Sequence, residues 1–270
     1  MSIIYKTQEF YNHLMYESAD PVSKDYFLMG SPFPILFILI SYHYFVLKLG
    51  PYLMRNREPF NLKKIILVYN IIQVCCCSYI FYMGTKELYG WTGKYKWFCQ
   101  PPETGGGDFS ELVARCTYLY FMLKIADLLD TIFFVLRKQF HKASFLHLYH
   151  HTGMVLMVWC GLKWVPGGHT TFLGYMNSFV HMIMYSYYTL ALLDSKRFVW
   201  IKKYVTQLQM AQFFINVIHS LSLVVTPNCE YPKWTVMVVT PQNIFMLFLF
   251  WDFYRKQYLK PKQEKDGKSI

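Results

Sequence analysis

Long apolar runs recur along this chain. Stretches of roughly 20 residues, the length a helix needs to cross a hydrocarbon core of about 30 Å, fall near 29–49, 62–84, 111–136, 145–164, 169–193, 203–225 and 234–254. The third and fifth are the least apolar, so their polar residues stand out. Residues 1–28 lack a compact apolar stretch after a basic start, and no cleavable signal peptide is expected. The pattern predicts an all-α integral membrane protein with seven transmembrane helices. It divides into an N-terminal segment 1–28, a seven-helix domain 29–254 and a basic tail 255–270.

Composition agrees. The 270 residues are 54% hydrophobic and 20% aromatic, with only 16% charged, against about 25% in a soluble domain. So many aromatic side chains exclude a disordered chain. Nucleic acid is not an expected partner, because the bases would have to sit on a mostly apolar surface. The net charge of +11 comes from few acids, 16 against 27 bases.

Sorted by loop, the bases set an orientation. Loops 48–64, 136–144 and 194–203 with the tail from Arg255 hold 18 Lys or Arg, and the opposite loops hold 7. By the positive-inside rule the N-terminus faces the lumen and the C-terminus the cytosol, which needs an odd number of spans. The Lys-rich tail Lys256–Ile270 reads as unstructured chain able to lie against anionic lipid. Lys163 falls in a lumenal turn. His13, His43, His141 and His169 read as surface or interfacial residues.

The same sorting separates the seven cysteines. Five lie in spans, where Cys acts as a small hydrophobe. Cys99 and Cys229 lie in lumenal loops on the oxidising side, and a disulfide between them is the expectation, two free thiols the alternative.

Ionisable groups inside a span cost about 2.5–3.5 kcal/mol each on insertion scales, so they mark a site by default. Lys124, Asp127 and Thr131 share one helical face, with Asp130 beside them. His147, His150 and His151 form an HxxHH cluster at i, i+3 and i+4. Asn177, His181, Tyr185 and Tyr188 line a third face, and Gln209, Gln212, Asn216 and His219 a fourth. Interhelical hydrogen bonds account for such residues on the fourth face as well as a site would. They do not account for three histidines in five residues.

Two chemistries use such a cluster. HxxHH resembles one box of the membrane di-iron desaturases and hydroxylases, whose pattern has three such boxes; one box and nine histidines leave an iron pair short, so no metal is expected. Acyl transfer fits better, since neutral imidazole is both a nucleophile and a base near pH 7. A basic mouth above an apolar interior also suits a ligand with a phosphate-rich head and a hydrocarbon tail. Acyl-CoA is such a ligand.

Four runs in order then carry a family resemblance: Lys124–Thr131 (KIADLLDT) for KxxExxDT, His147–His151 (HLYHH) for HxxHH, Asn177–Tyr188 (NSFVHMIMYSYY) for NxxxHxxMYxYY, and Thr206–Gln212 (TQLQMAQ) for TxxQxxQ. The chain resembles the very-long-chain fatty acid elongases, the ELO family, over nearly its whole length. It departs at Asp127, where the pattern usually has Glu.

The resemblance implies a seven-span protein of the endoplasmic reticulum that encloses an acyl tunnel. It implies condensation of an acyl-CoA with malonyl-CoA, giving 3-ketoacyl-CoA, carbon dioxide and CoA. No cofactor is expected beyond the CoA thioesters, which are substrates. In a ping-pong scheme His150 attacks the thioester, while His147 and His151 orient it, move protons or stabilise the oxyanion. Asp127 and Asp130 support the histidines, and His181 and Asn177 hold the malonyl group. Lys124, Arg137, Tyr187, Lys202, Lys203 and Arg255 are candidates for CoA contacts. Membrane lipid, the reductases and dehydratase of the elongation cycle, and a second copy of the chain are candidate partners. A seven-span receptor or a lipid-binding membrane protein without catalysis is the alternative, disfavoured by the absence of DRY-like or NPxxY-like runs.

Overall fold

The computed structural model describes residues 3–90, 93–104 and 106–259. Within them the chain is helical and contains no strand. A short helix α1 (Ile3–Asn12) precedes α2 (Pro32–Met54) and α3 (Lys63–Tyr89). Then come α4 (Asp108–Ala126), α5 (Leu128–Leu136), α6 (Phe145–Trp164) and α7 (Thr171–Leu193). The last two long helices are α8 (Ile201–Val225) and α9 (Trp234–Leu259).

Helices α2, α3, α8 and α9 are long and apolar enough to cross a membrane. Their surfaces invert the rule for a soluble protein. Phe37, Val68, Ile218 and Phe248 are exposed, while Asn70, Gln73, Asn216 and Asn243 on three of the same helices are buried. Apolar side chains pointing outward and polar ones inward is the arrangement lipid requires. This is a membrane protein.

Six helices close a ring. α3 packs along α7, α7 on α8, α8 on α9, α9 on α6, α6 on α4, and α4 back on α3. α2 lies outside it, burying Ile35, Leu39, Tyr42 and Val46 in a core shared with Phe121, Leu128, Leu148 and Val155. Local chemistry fixes the starts that matter. Ser31 caps α2, its Oγ accepting from Phe33 N beside Pro32 at the first helical position. Ser144 caps α6 by accepting from His147 N, which sets where the histidine cluster begins.

At the end of the ring away from the basic loops, Cys99 and Cys229 form a disulfide with Cα atoms 5.9 Å apart. It ties the segment before α4 to the one before α9.

Three sequence readings change here. His169 is buried rather than superficial, at 2% exposure. Gly167 and Gly168 adopt φ +65° and +68° and turn it inward, where its ring stacks on His219 at 4.0 Å. Lys163 is fully buried instead of lying in an open turn, its Nζ donating to Met29 O at 2.8 Å. Residues 18–29 cover it, with Ser23 Oγ donating to Leu162 O at 2.8 Å. The tail continues as helix to Leu259, where Arg255 and Lys256 both pair with Asp252; residues 260–270 lie outside the described residues.

Candidate active site

The site grows from the junction of α4 and α5. Asp127 sits between the two helices, its N–H donating to Leu123 O at 2.8 Å. The chain stays near-helical through this turn, so Lys124 and Asp127 keep one face. Lys124 Nζ donates to Asp127 Oδ2 at 2.7 Å and to Asn177 Oδ1 at 3.1 Å, and lies 3.3 Å from His181 Nδ1. Both members of the ion pair are buried. A charge at this depth persists only when paired and hydrogen-bonded.

The carboxylates are held from two further helices. Asp127 Oδ1 accepts from Gln73 Nε2 at 2.8 Å and from Tyr185 OH at 3.0 Å. Tyr185 OH is also 2.7 Å from Asp130 Oδ2. Tyr69 OH lies 3.3 Å from Tyr185 OH and donates to Ala126 O at 3.3 Å.

The histidine cluster lies across the ring on α6. His147 Nε2 is 2.8 Å from Thr131 Oγ1, which in turn is 2.7 Å from Tyr42 OH. The His147 and His151 rings stand 4.2 Å apart, and those of His150 and His151 5.4 Å. His147 has Thr131 as its partner, whereas His150 Nε2 is buried without a hydrogen-bond partner.

A cavity of about 430 Å³ runs from this cluster toward the disulfide, a size within the 300–1,000 Å³ range of ligand pockets. His150, Tyr120, Asn177 and Gln212 border one end, and Val165 and Tyr231 the other. Between them the wall is mostly apolar. Of the residues singled out in the sequence, His150, Asn177, Gln212 and Asn216 reach the cavity wall. Lys124, Asp127 and His181 stand behind Asn177, His147 and His151 beside His150, and Asp130 behind Tyr185.

The proposed CoA contacts are scattered. Lys124 is in the buried network. Tyr187 is buried against Tyr188, and Arg255 pairs with Asp252 at 3.1 Å. Lys203 is exposed. Lys202 Nζ lies 5.6 Å over the Phe253 ring, and Arg137 borders a separate polar recess with Asn61, Lys63 and Gln139. Lys142, which sequence reading passed over, joins Arg137 and Lys202. Its Nζ sits 5.4 Å over the Phe134 ring. Desolvation, then Arg137 and Lys202, hold its pKa below the ordinary lysine value.

Sequence reading also missed Tyr42, Tyr69, Gln73 and Tyr120, whose hydroxyl donates to Asn177 Oδ1 at 2.8 Å. Gln73 alone carried a signal, an amide in the middle of an apolar span. Three tyrosines out of 23 carried none.

The chain matches the ELO (GNS1/SUR4) family over residues 27–266. It belongs to that family. The four motif runs of this ELO protein thus occupy α4–α5, α6, α7 and α8, and each contributes to the network or to the cavity wall. Very long chain fatty acid elongase 7 of Drosophila melanogaster is 40% identical over 257 residues, covering 94% of this chain and 76% of that protein. Very long chain fatty acid elongase 4 of Mus musculus is 38% identical over 267 residues, covering 97% and 83%. Very long chain fatty acid elongase 5 of Xenopus laevis is 34% identical over 261 residues, covering 96% and 87%. The family points to the condensing step of fatty acid elongation, with acyl-CoA and membrane lipid as its surroundings.

Proposed function

We propose that this protein condenses an acyl-CoA with malonyl-CoA through an acyl-imidazole on His150. The observation that carries the reading is His150 itself: an unpartnered buried Nε2 on a ring that borders an apolar cavity. An imidazole nitrogen without a hydrogen bond keeps its lone pair or proton for a substrate.

In the first half-reaction His150 attacks the thioester carbonyl, the C–S bond breaks, and CoA leaves as the thiol with the imidazole proton. His147 and His151 flank the ring; the hydrogen bond of His147 to Thr131 sets its orientation. In the second half-reaction malonyl-CoA loses carbon dioxide, and the electron pair of the broken C–C bond becomes an enolate. That carbanion attacks the acyl carbonyl, the acyl–nitrogen bond breaks with its electron pair staying on the imidazole, and that nitrogen takes up a proton from water, giving 3-ketoacyl-CoA and restoring neutral His150. Asn177, at the cavity wall and held by Lys124, would meet the malonyl group and its developing negative charge, with His181 behind it in the same network.

The reading extends to the membrane. The 18 bases on one side support seven spans with the N-terminus lumenal and the C-terminus cytosolic, in the endoplasmic reticulum. Residues 29–254 form the catalytic domain. The Arg137, Lys142 and Lys202 group supplies charge for CoA phosphates at the cytosolic mouth.

The purified protein is incubated with acyl-CoA and labelled malonyl-CoA. Carbon dioxide release and an acyl adduct by intact mass, absent from His150→Ala, are expected. An adduct that persists in His150→Ala rejects His150 as nucleophile; no carbon dioxide release rejects condensation.

A further inference from the structure

Gln73 lies on α3, a helix that contributes none of the four motif runs, yet it is 1% exposed and aimed at the site. Its amide orientation is determined by its neighbours. Asp127, paired with Lys124, is an acceptor only, so the group 2.8 Å from Oδ1 is Nε2. The same Nε2 donates to Tyr69 OH at 3.0 Å. Tyr69 OH in turn donates to Ala126 O, the carbonyl immediately before Asp127. α3 therefore grips the α4–α5 turn twice, once at the carboxylate and once at its backbone.

What Asp127 holds is the position of Lys124 Nζ, and Lys124 holds Asn177 and His181. A chain of contacts thus runs from Gln73 through Asp127 and Lys124 to a cavity-wall residue. Asp127 is one methylene shorter than the glutamate of the KxxExxDT pattern, and the Gln73 amide, reaching in from α3, meets its carboxylate at 2.8 Å. A longer carboxylate would advance by about 1.5 Å into an amide already at 2.8 Å.

We infer that Gln73 is a positioning residue for the condensation, its length matched to Asp127 so that the pair together spans the gap between α3 and Lys124. This rests on the function proposed above. Gln73 does not touch the cavity and acts only through the carboxylate. Without the Gln73 amide, Asp127 Oδ1 keeps Tyr185 OH as a donor but loses its link to α3, and a rate falls about tenfold for each 1.36 kcal/mol lost from the transition state.

The test exchanges the methylene. kcat and KM are measured for Gln73→Asn, Asp127→Glu and the double variant, referred to the monodisperse protein fraction in lipid nanodiscs. Each single variant is expected to lose kcat by about tenfold or more with KM little changed. The double variant is expected to recover to within about threefold of wild type, since it restores the summed length. Gln73→Met, which keeps length and removes the donor, should lose kcat and gain nothing from Asp127→Glu. A purely structural role would show as lost monodisperse protein with unchanged kcat per folded molecule, and would overturn the inference. Losses that simply multiply in the double variant would overturn it too. If wild type releases no carbon dioxide, the condensation reading falls and this role falls with it; additive losses in an active enzyme remove the positioning role alone.

Discussion

Lys124 and Asp127 form an ion pair at 2.7 Å with side-chain exposures of 3% and 2%. Two charges so deep are stable as a pair and costly apart. Lys124→Met leaves Asp127 without its counter-charge, and a loss of about 3–5 kcal/mol is expected from breaking a buried pair at one partner. Thermal unfolding in detergent, scanned with Asp127→Asn and the double variant, checks this. The double variant should lose less than the two singles together, because no lone charge remains. Simple additivity would mean that the pair is not coupled.

Thr131 connects two helices through one hydroxyl, meeting His147 Nε2 at 2.8 Å and Tyr42 OH at 2.7 Å. Thr131→Val keeps the shape and removes both bonds. A fall in kcat of about tenfold is expected if His147 must be oriented beside His150, the buried bond being worth about 1–3 kcal/mol. Tyr42→Phe leaves His147 its partner and should be milder. Equal effects in the two variants would make Thr131 a packing residue.

Lys142 predicts a pH effect. Its pKa is lowered in the fold by desolvation, then Arg137 and Lys202. A base lowered on folding is penalised while charged. The penalty is fully present below its folded pKa and disappears as pH rises past its unfolded value. A polyphosphate ligand placed among the three cations favours the charged form and raises that pKa. CoA binding should therefore take up protons in the pH range between the lowered pKa of free Lys142 and its raised value in the complex. Calorimetry in buffers of different ionisation heat measures this, and Lys142→Ala should reduce the uptake. Binding without proton uptake would place the phosphates elsewhere.

The disulfide closes a loop of 130 residues. Its removal is expected to lower stability by about 2–5 kcal/mol, equally in Cys99→Ser, Cys229→Ser and the double variant, because either substitution breaks the same bond. Thermal unfolding without reductant compares them. A single variant as stable as wild type would show that the bond contributes nothing to the fold.

Gly168 offers an independent probe of the same end. It holds φ +68°, and a Cβ there would come within 2.6 Å of the Tyr231 ring and 2.7 Å of Pro101 O. Gly168→Ala must displace Tyr231, whose hydroxyl is 2.6 Å from Thr170 Oγ1. Because Tyr231 borders the cavity, the variant should alter acyl-chain preference as well as stability. A panel of acyl-CoAs of differing length reads this; an unchanged profile would place Tyr231 outside the acyl path.

Much of this protein was already determined by its sequence. The apolar runs anticipate the long helices, since a helix facing lipid must be apolar along its length whatever its neighbours. The motif runs at 124–131, 147–151, 177–188 and 206–212 anticipate which helices carry the network, because an i, i+3, i+4 spacing places side chains on one face without outside help. Only tertiary structure decided how those faces meet. That His150 lacks a partner while His147 has Thr131 depends on the placement of α6 against α5. That Gln73 holds the Asp127 carboxylate and Tyr69 the Ala126 carbonyl before it depends on α3 packing between α4 and α7, contacts 54 and 57 residues apart in the chain. The burial of His169 followed from two glycines and a disulfide loop folding over it. Local spacing is written in the chain, but hydrogen bonds between helices depend on packing, which no single stretch of sequence contains.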